Sequence, residues 1–349
     1  MMEKIFLGLL VFVPATLAAH YLNFPPLLVF FISALSIVPL AKFIGEATEE
    51  LSIHTGPALG GFLSATFGNA TELIIGIFAI KAGLIEVVKA SITGSIIGNL
   101  LLVLGMAIFF GGVKFKKQIF NKTASLATAS TLLLATIALI VPAIFLQTAP
   151  KVGGAIIEKL SLAVACLMIL AYVADLFFTL KTHKHLYLQE VGKFESKWSV
   201  KKSVLILLAA TLAVAWMSEI LVGSIEPVVA IFGWTELFIG VIFVAIIGNA
   251  AEHVSAITMA LKNKMDLAVQ VSIGSATQIV MFVMPALILI SLMFKTHMSI
   301  VFNPFELIII VASVMIANLI IEDGETNWFE GLQLVVAYII IAVAFFLHP

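Results

Sequence analysis

The sequence predicts an all-α integral membrane protein of eleven transmembrane helices: one extra N-terminal helix followed by two inverted five-helix repeats. Three observations carry that prediction: a composition too apolar for water, eleven apolar runs of membrane-spanning length, and an internal repeat whose copies lie an odd number of crossings apart. Of 349 residues, 62% are hydrophobic and 11% charged, against about 45–50% and about 25% in soluble domains. The 19 basic residues, all lysine, nearly balance the 20 acidic ones. No basic face for nucleic acid and no acidic tail can be built from that balance. The lone Cys166 excludes an intrachain disulfide, a CxxC centre and a cysteine zinc site, and its apolar run assigns it to the core.

About 20 apolar residues cross a hydrocarbon core, which places spans over 5–22, 26–45, 57–81, 87–111, 124–146, 157–181, 203–224, 235–261, 266–294, 302–321 and 328–347. The first run follows Lys4 and ends near Ala18 and Ala19, a pattern shared with signal peptides. The second ends in KFIGEATEEL, carrying Glu46, Glu49 and Glu50. The third and eighth each hold one central acid. The sixth contains Asp175 near its end, read as a helix-packing acid, and the seventh carries Glu219, with Glu226 just beyond. Between halves, the polar stretch 182–202 has room for a short amphipathic helix and no domain; His183 and His185 there read as wet surface. Glu322, Asp323 and Glu325 form an acidic turn before the last span. The chain divides into an extra helix (1–24), a first repeat (25–181), a linker (182–202) and a second repeat (203–349).

Lysines set the sidedness, because basic loops stay in the cytoplasm. With eleven spans one side holds thirteen lysines and the other five. The N-terminus is therefore expected inside and the C-terminus outside.

GGFLSATFGNATELIIGI (60–77) aligns with GVIFVAIIGNAAEHVSAI (240–257) at a constant offset of 180, and Gly94-Ser95 continues it onto Gly274-Ser275. Span 3 pairs with span 8, so the second copy runs the opposite way. Inverted repeats of this kind build many secondary transporters, with sites near the bilayer midplane. Glu72 and Glu252 occupy matching places there. An acid at a helix centre costs about 2.5–3.5 kcal/mol on insertion scales and faces the bundle interior or a wet path.

Asn69 and Asn249 each sit three residues before the acid, on its face of the helix. Carboxylate and amide oxygens suit a hard cation such as calcium, and two glutamates neutralise a divalent ion. Desolvation favours the uncharged form of a carboxyl group, so protons and cation compete for the same oxygens. Ser95, Asn99, Ser275 and Gln278 are candidate neighbours of that pair, with helix-to-helix hydrogen bonding as their other use. Gly94-xxx-Gly98 and the series Gly60, Gly68, Gly76 read as packing faces. Glu46, Glu49, Glu219 and Glu226 are candidates for a vestibule or gate, Glu46 aligning with Glu226 at the same offset. His253 is a candidate proton relay, since AEHVS lacks the HExxH spacing of a zinc protease.

GNATELIIGIFAI and GNAAEHVSAITMAL, with ITGSIIGNLLLVLG and SIGSATQIVMFVMP, resemble the paired signature segments of the cation/proton exchanger family within the calcium/cation antiporter superfamily. The likeness covers nearly the whole chain. It implies calcium for proton exchange, Glu72 and Glu252 as central ligands with Asn69, Asn249, Ser95 and Ser275 near them, and spans 2 and 7 as moving gates. The sodium/calcium branch tends to carry Ser-Ala-Pro-Glu where this chain has Asn-Ala-Thr-Glu and Asn-Ala-Ala-Glu, which favours protons over sodium. Calcium is then substrate, with no cofactor, in a compact bacterial-type plasma-membrane protein; assembly as a homo-oligomer is compatible with the sequence. A sodium-coupled or broader cation exchanger is the alternative. An intramembrane enzyme lacks a nucleophile–base pair or metal triad here, and the inverted repeat disfavours a passive channel.

Overall fold

The computed structural model describes residues 2–149, 151–183 and 196–348, and these are helical almost throughout. In chain order the helices are α1 (Met2–Leu9), α2 (Phe12–Tyr21), α3 (Pro26–Phe67), α4 (Ala70–Ala82), α5 (Ile85–Ile97), α6 (Leu104–Phe115), α7 (Lys122–Thr148) and α8 (Gly154–Phe177). The second half contributes α9 (Val200–Gly223), α10 (Ile225–Phe232), α11 (Glu236–Phe238), α12 (Ala245–Gly248), α13 (Ala250–Leu261), α14 (Met265–Gln278), α15 (Met284–Ser291), α16 (Pro304–Ile321) and α17 (Trp328–Leu347). π-Helical turns at Gly98–Val103, Ile239–Val244 and Ile279–Val283 join α5 to α6, α11 to α12 and α14 to α15. Such turns insert one residue into the helical ladder and often flank functional sites. Those at Gly98–Val103 and Ile279–Val283 fall almost at the repeat offset.

Among the described residues eight helices are long and apolar enough to cross a membrane, and the pair Glu236–Gly248 and Ala250–Leu261, bent by 58°, adds a ninth. That is fewer than the eleven expected, for two local reasons. The first run is split into α1 and α2, leaving only the short apolar stretch Ile5–Tyr21. The expected span 57–81 is interrupted: α3 folds back at Gly56 and ends at Phe67, and α4 resumes at Ala70. The fold-back needs a left-handed residue, and Gly56 supplies it (φ 79°). Ser52 Oγ then donates to Gly60 O at 2.8 Å, a contact that a straight helix, rising about 12 Å over eight residues, could not make.

Burial sorts the helices into layers. In their most apolar 18-residue stretches, Ile85–Phe115 and Met265–Ser291 are largely buried (72% and 67%), against 22% for Gly154–Thr182. Ile96, Ile97, Leu100, Leu101 and Leu104 centre the core, whereas Leu167, Leu170, Val173 and Phe177 of α8 face outward. Cys166 shares that exposed face rather than the core, since apolar residues are as well accommodated by lipid as by packing. α5 crosses the Ile239–Val244 turn at backbone contact, through Gly94 against Val241 O and Gly240 against Ala90 Cβ. The other glycines form no common stripe: Gly60 meets Ser52, Gly76 meets Leu287, and a Cβ on Gly98 would meet nothing within 4 Å.

Hydrogen bonds between turns join segments that the lysine count assigns to one side. Gln118 Nε2 donates to Ala260 O at 2.9 Å, the Asn121 amide to Asp266, and Ser196 Oγ to Glu50 Oε2 at 2.8 Å. On the other side Thr296 Oγ1 donates to Ile80 O at 3.3 Å and the Ile300 amide to Ser161 Oγ at 3.1 Å. One departure from a purely helical chain is a two-stranded antiparallel ladder, β1 (Lys117–Ile119) on β2 (Glu325–Asn327), in which Lys117 faces Asn327 in register and its ammonium forms an ion pair with Glu325. It engages the acidic turn, whose Glu325 is thus not merely solvated. His185 and the expected amphipathic helix fall largely on 184–195, outside the described residues, while His183 stacks on Phe178 at 4.1 Å.

Candidate functional site

Both copies break their acid-bearing helix at the same dipeptide. Asn69 (φ −104°, ψ 21°) separates α3 from α4, and Asn249 (φ −92°, ψ 16°) separates α12 from α13. Neither asparagine caps the following helix with its side chain, so both amides are free for bonds to other helices. Each break leaves carbonyl oxygens of the preceding helix without helical donors. Broken backbone at membrane depth is tolerated where it is buried in protein or lines a cavity. Glu72 and Glu252 fall in the first turns of α4 and α13, where the helix N-terminus favours a negative charge.

The asparagines tie the breaks to α5 and α14. Asn249 Nδ2 donates to Ala245 O and to Ser95 Oγ, each at 2.8 Å. A carbonyl only accepts, so this fixes the amide, and Asn249 Oδ1 faces Asn99 Nδ2 at 2.7 Å. Asn99 Nδ2 also donates to Ser275 Oγ at 3.0 Å, and Asn69 Nδ2 to Gln278 Oε1 at 2.5 Å. The structure thereby brings Asn69, Asn249, Ser95, Asn99, Ser275 and Gln278 into two adjoining networks. The arrangement is not symmetric. At an offset of 180, Asn99 corresponds to Ile279 and Gln278 to Gly98, so the two halves share their acids and asparagines but not their second rank.

Among the described residues five oxygens of this region are shut off from solvent without a donor: Asn69 Oδ1, Asn99 Oδ1, Glu72 Oε1 and Oε2, and Glu252 Oε2. Leaving such groups unpaired in a low-dielectric interior costs several kcal/mol unless a proton or cation satisfies them (~2–7 each for neutral groups, more for charges). The two acids are close enough to interact electrostatically. Glu72 reaches across to the second break, where a Cβ on Gly248 would lie 3.0 Å from its Cγ; glycine leaves room for the acid to pass.

A cavity of about 360 Å³ meets this region. Glu252, Asn69, Ser275 and Gln278 line its inner end at the helix breaks, and Glu72 is not among the lining residues. It runs toward Thr179 at the end of the α8 segment and Leu267 at the start of α14, ends that adjoin the lysine-rich turns. The acids expected as vestibule or gate do not reach it. Glu46 pairs with Lys42 at 3.1 Å, Glu219 with Lys81 at 3.0 Å, and Glu49 and Glu226 are exposed. The ring of His253 makes no hydrogen bond among the described residues and does not line the cavity. Among the wall residues not singled out for a site role by sequence are Gln270, the hydroxyls of Thr128, Thr131 and Thr179, and Asp175, which had been read as a packing acid. Asp175 had a legible signal, an acid within an otherwise apolar run.

Among the described residues no three His, Cys, Asp or Glu side chains cluster as a metal site. What the region offers is two carboxylates with amide oxygens. The sodium/calcium exchanger protein family profile matches residues 25–181 and 202–347. The chain is 46% identical to the Ca(2+)/H(+) antiporter of Aphanothece halophytica over 99% of its own length and 97% of the relative's. It is 47% identical to the Ca(2+)/H(+) antiporter ChaA of Bacillus subtilis (strain 168), over 96% of each. Among solved structures, that of the selenium-substituted Ca2+/H+ antiporter protein YfkE superposes with a TM-score of 0.86 at 43% identity, covering 99% of both chains.

Proposed function

The chain belongs to the sodium/calcium exchanger protein family, and from that premise we propose a secondary active Ca2+/H+ antiporter in which Glu72 and Glu252 bind calcium and protons by turns. It is a transporter and not an enzyme, and calcium is its substrate. The observation that carries the reading is the set of five donorless oxygens from Glu72, Glu252, Asn69 and Asn99 at the paired helix breaks. Calcium takes six to eight oxygens at about 2.3–2.6 Å; broken-helix carbonyls and water complete the shell. Asn249, whose oxygen accepts from Asn99, serves to hold Asn99 in place.

Coupling follows from charge. One calcium ion neutralises the pair, and so do protons on the same oxygens. The unloaded pair, two desolvated like charges side by side, is the costly state, so the bundle changes orientation only when loaded. The inverted repeat gives that change its two equivalent arrangements. The helices Pro26–Gly56 and Val200–Phe232, which pack on one another, are the moving gates. The eleven spans are the nine helical crossings plus Ile5–Tyr21 and the broken segment 57–82, giving one leading helix and two inverted groups of five. The lysine-rich face lies in the cytoplasm of a bacterial plasma membrane, with the N-terminus inside and the C-terminus outside.

Purified protein in sodium-free vesicles, given an imposed pH gradient and a calcium indicator, tests this. Calcium moves only with the gradient and protons move the opposite way. Calcium movement that requires sodium, or that proceeds without proton movement, overturns the proposal.

A further inference from the structure

Resting on that reading, we infer that Asp175 is a staging carboxylate that draws calcium into the cavity from the lysine-rich face before Glu252 receives it. Asp175 and Glu252 line one cavity, Asp175 on α8 toward the lysine-rich end and Glu252 at its inner end. Hydroxyls and amides join them along the walls, with Thr131, Thr128 and Thr179 on one side and Gln270 and Gln278 on the other. At about 360 Å³ the cavity holds on the order of ten waters, enough for a cation that keeps part of its hydration shell. Around Asp175 the outward face of α8 is apolar, with Leu167, Leu170, Val173 and Phe177 exposed, and an acid survives there only where it meets a wet interior path.

The packing role first assigned to Asp175 is thinly supported. Its side chain accepts one long hydrogen bond, from Thr131 Oγ1 at 3.5 Å, and that hydroxyl also donates to Ala127 O at 3.3 Å. Among the described residues no lysine or histidine forms an ion pair with it. A negative charge in a low-dielectric cleft concentrates counter-ions there, and a divalent ion feels it twice over. Glu72 does not line the cavity, and Asp175 stands nearer its lysine-rich end than Glu252 does, so a cation from this side meets Asp175 first.

The test is Asp175→Asn in vesicles of defined orientation, with calcium offered to one face at a time. From the lysine-rich face the apparent KM for calcium rises about three- to tenfold while kcat is kept; from the opposite face KM is unchanged. Thr131→Val, which removes the hydrogen bond and keeps the charge, shifts KM from the lysine-rich face less than Asp175→Asn does. Gln270→Glu, on an exposed wall position, adds a second charge and lowers KM on the lysine-rich side, which keeps the inference testable should Asp175→Asn fail to fold. An unchanged KM in Asp175→Asn or in Gln270→Glu, equal losses from both faces, or a Thr131→Val variant that matches Asp175→Asn overturns it. Wild-type exchange in the same vesicles separates this failure from a failure of the antiport reading.

Discussion

Glu72→Gln and Glu252→Gln each bring proton-driven calcium movement down to the background of protein-free vesicles. Glutamine keeps the shape of the side chain and one acceptor oxygen, but it removes half of the charge that balances a divalent ion and the group that exchanges the proton. One carboxylate against calcium at ~2.4 Å is worth on the order of 10 kcal/mol even at an effective dielectric of ~20, before desolvation offsets part of it. The loss therefore exceeds about a hundredfold, equivalent to roughly 2.7 kcal/mol. Both variants lose it, because Glu72 and Glu252 hold corresponding places in the two copies. Stability moves the other way: replacing an acid whose oxygens lack donors by a neutral amide leaves the melting temperature equal or higher. A variant that retains wild-type exchange removes its acid from the mechanism.

Gly94→Ala is the largest structural prediction. The added methyl would collide with the Val241 carbonyl oxygen and press on Ala245. Val241 lies in the π turn that leads into the second break, so neither partner is a flexible side-chain end. Overpacking typically costs about 1–3 kcal/mol and more when backbone must move; this variant belongs at or above the upper end. Gly98→Ala, one turn away with nothing within 4 Å of the new atom, gains up to about 1 kcal/mol of helix propensity. Thermal unfolding and gel filtration in detergent check the pair: Gly94→Ala melts well below wild type or elutes as aggregate, and Gly98→Ala does neither. Equal behaviour of the two would mean that α5 and the second break do not meet at backbone contact.

The helical segments were legible because a bilayer demands apolar runs of a set length, and nine of the eleven expected runs coincide with a described helix or bent helix pair long enough to cross, the first being split into α1 and α2 and the third at Asn69. The site region was legible through the offset of 180, which pairs Gly68-Asn69 with Gly248-Asn249 and Glu72 with Glu252. The fold-back at Gly56 left one local mark, the Gly56-Pro57 dipeptide, a breaker at the edge of an apolar run. Other features leave no such trace. π Turns in segments apolar all round have no periodicity to mark them. The choice between Asn249 and Asn99 as the amide with a donorless oxygen depends on the Ala245 carbonyl, a backbone group that sequence cannot orient. Asp175 read as packing because its run shows no polar stripe; its place on the same cavity as Glu252 depends on how α8 rotates against α7 and α14.

Counting protons released when calcium is added to purified, weakly buffered protein tests the central claim most directly. Competition for shared oxygens predicts release from wild type, apparent calcium affinity that falls as pH falls, and neither effect in Glu72→Gln/Glu252→Gln. Calcium binding that releases no protons and keeps the same affinity across that pH range would contradict it.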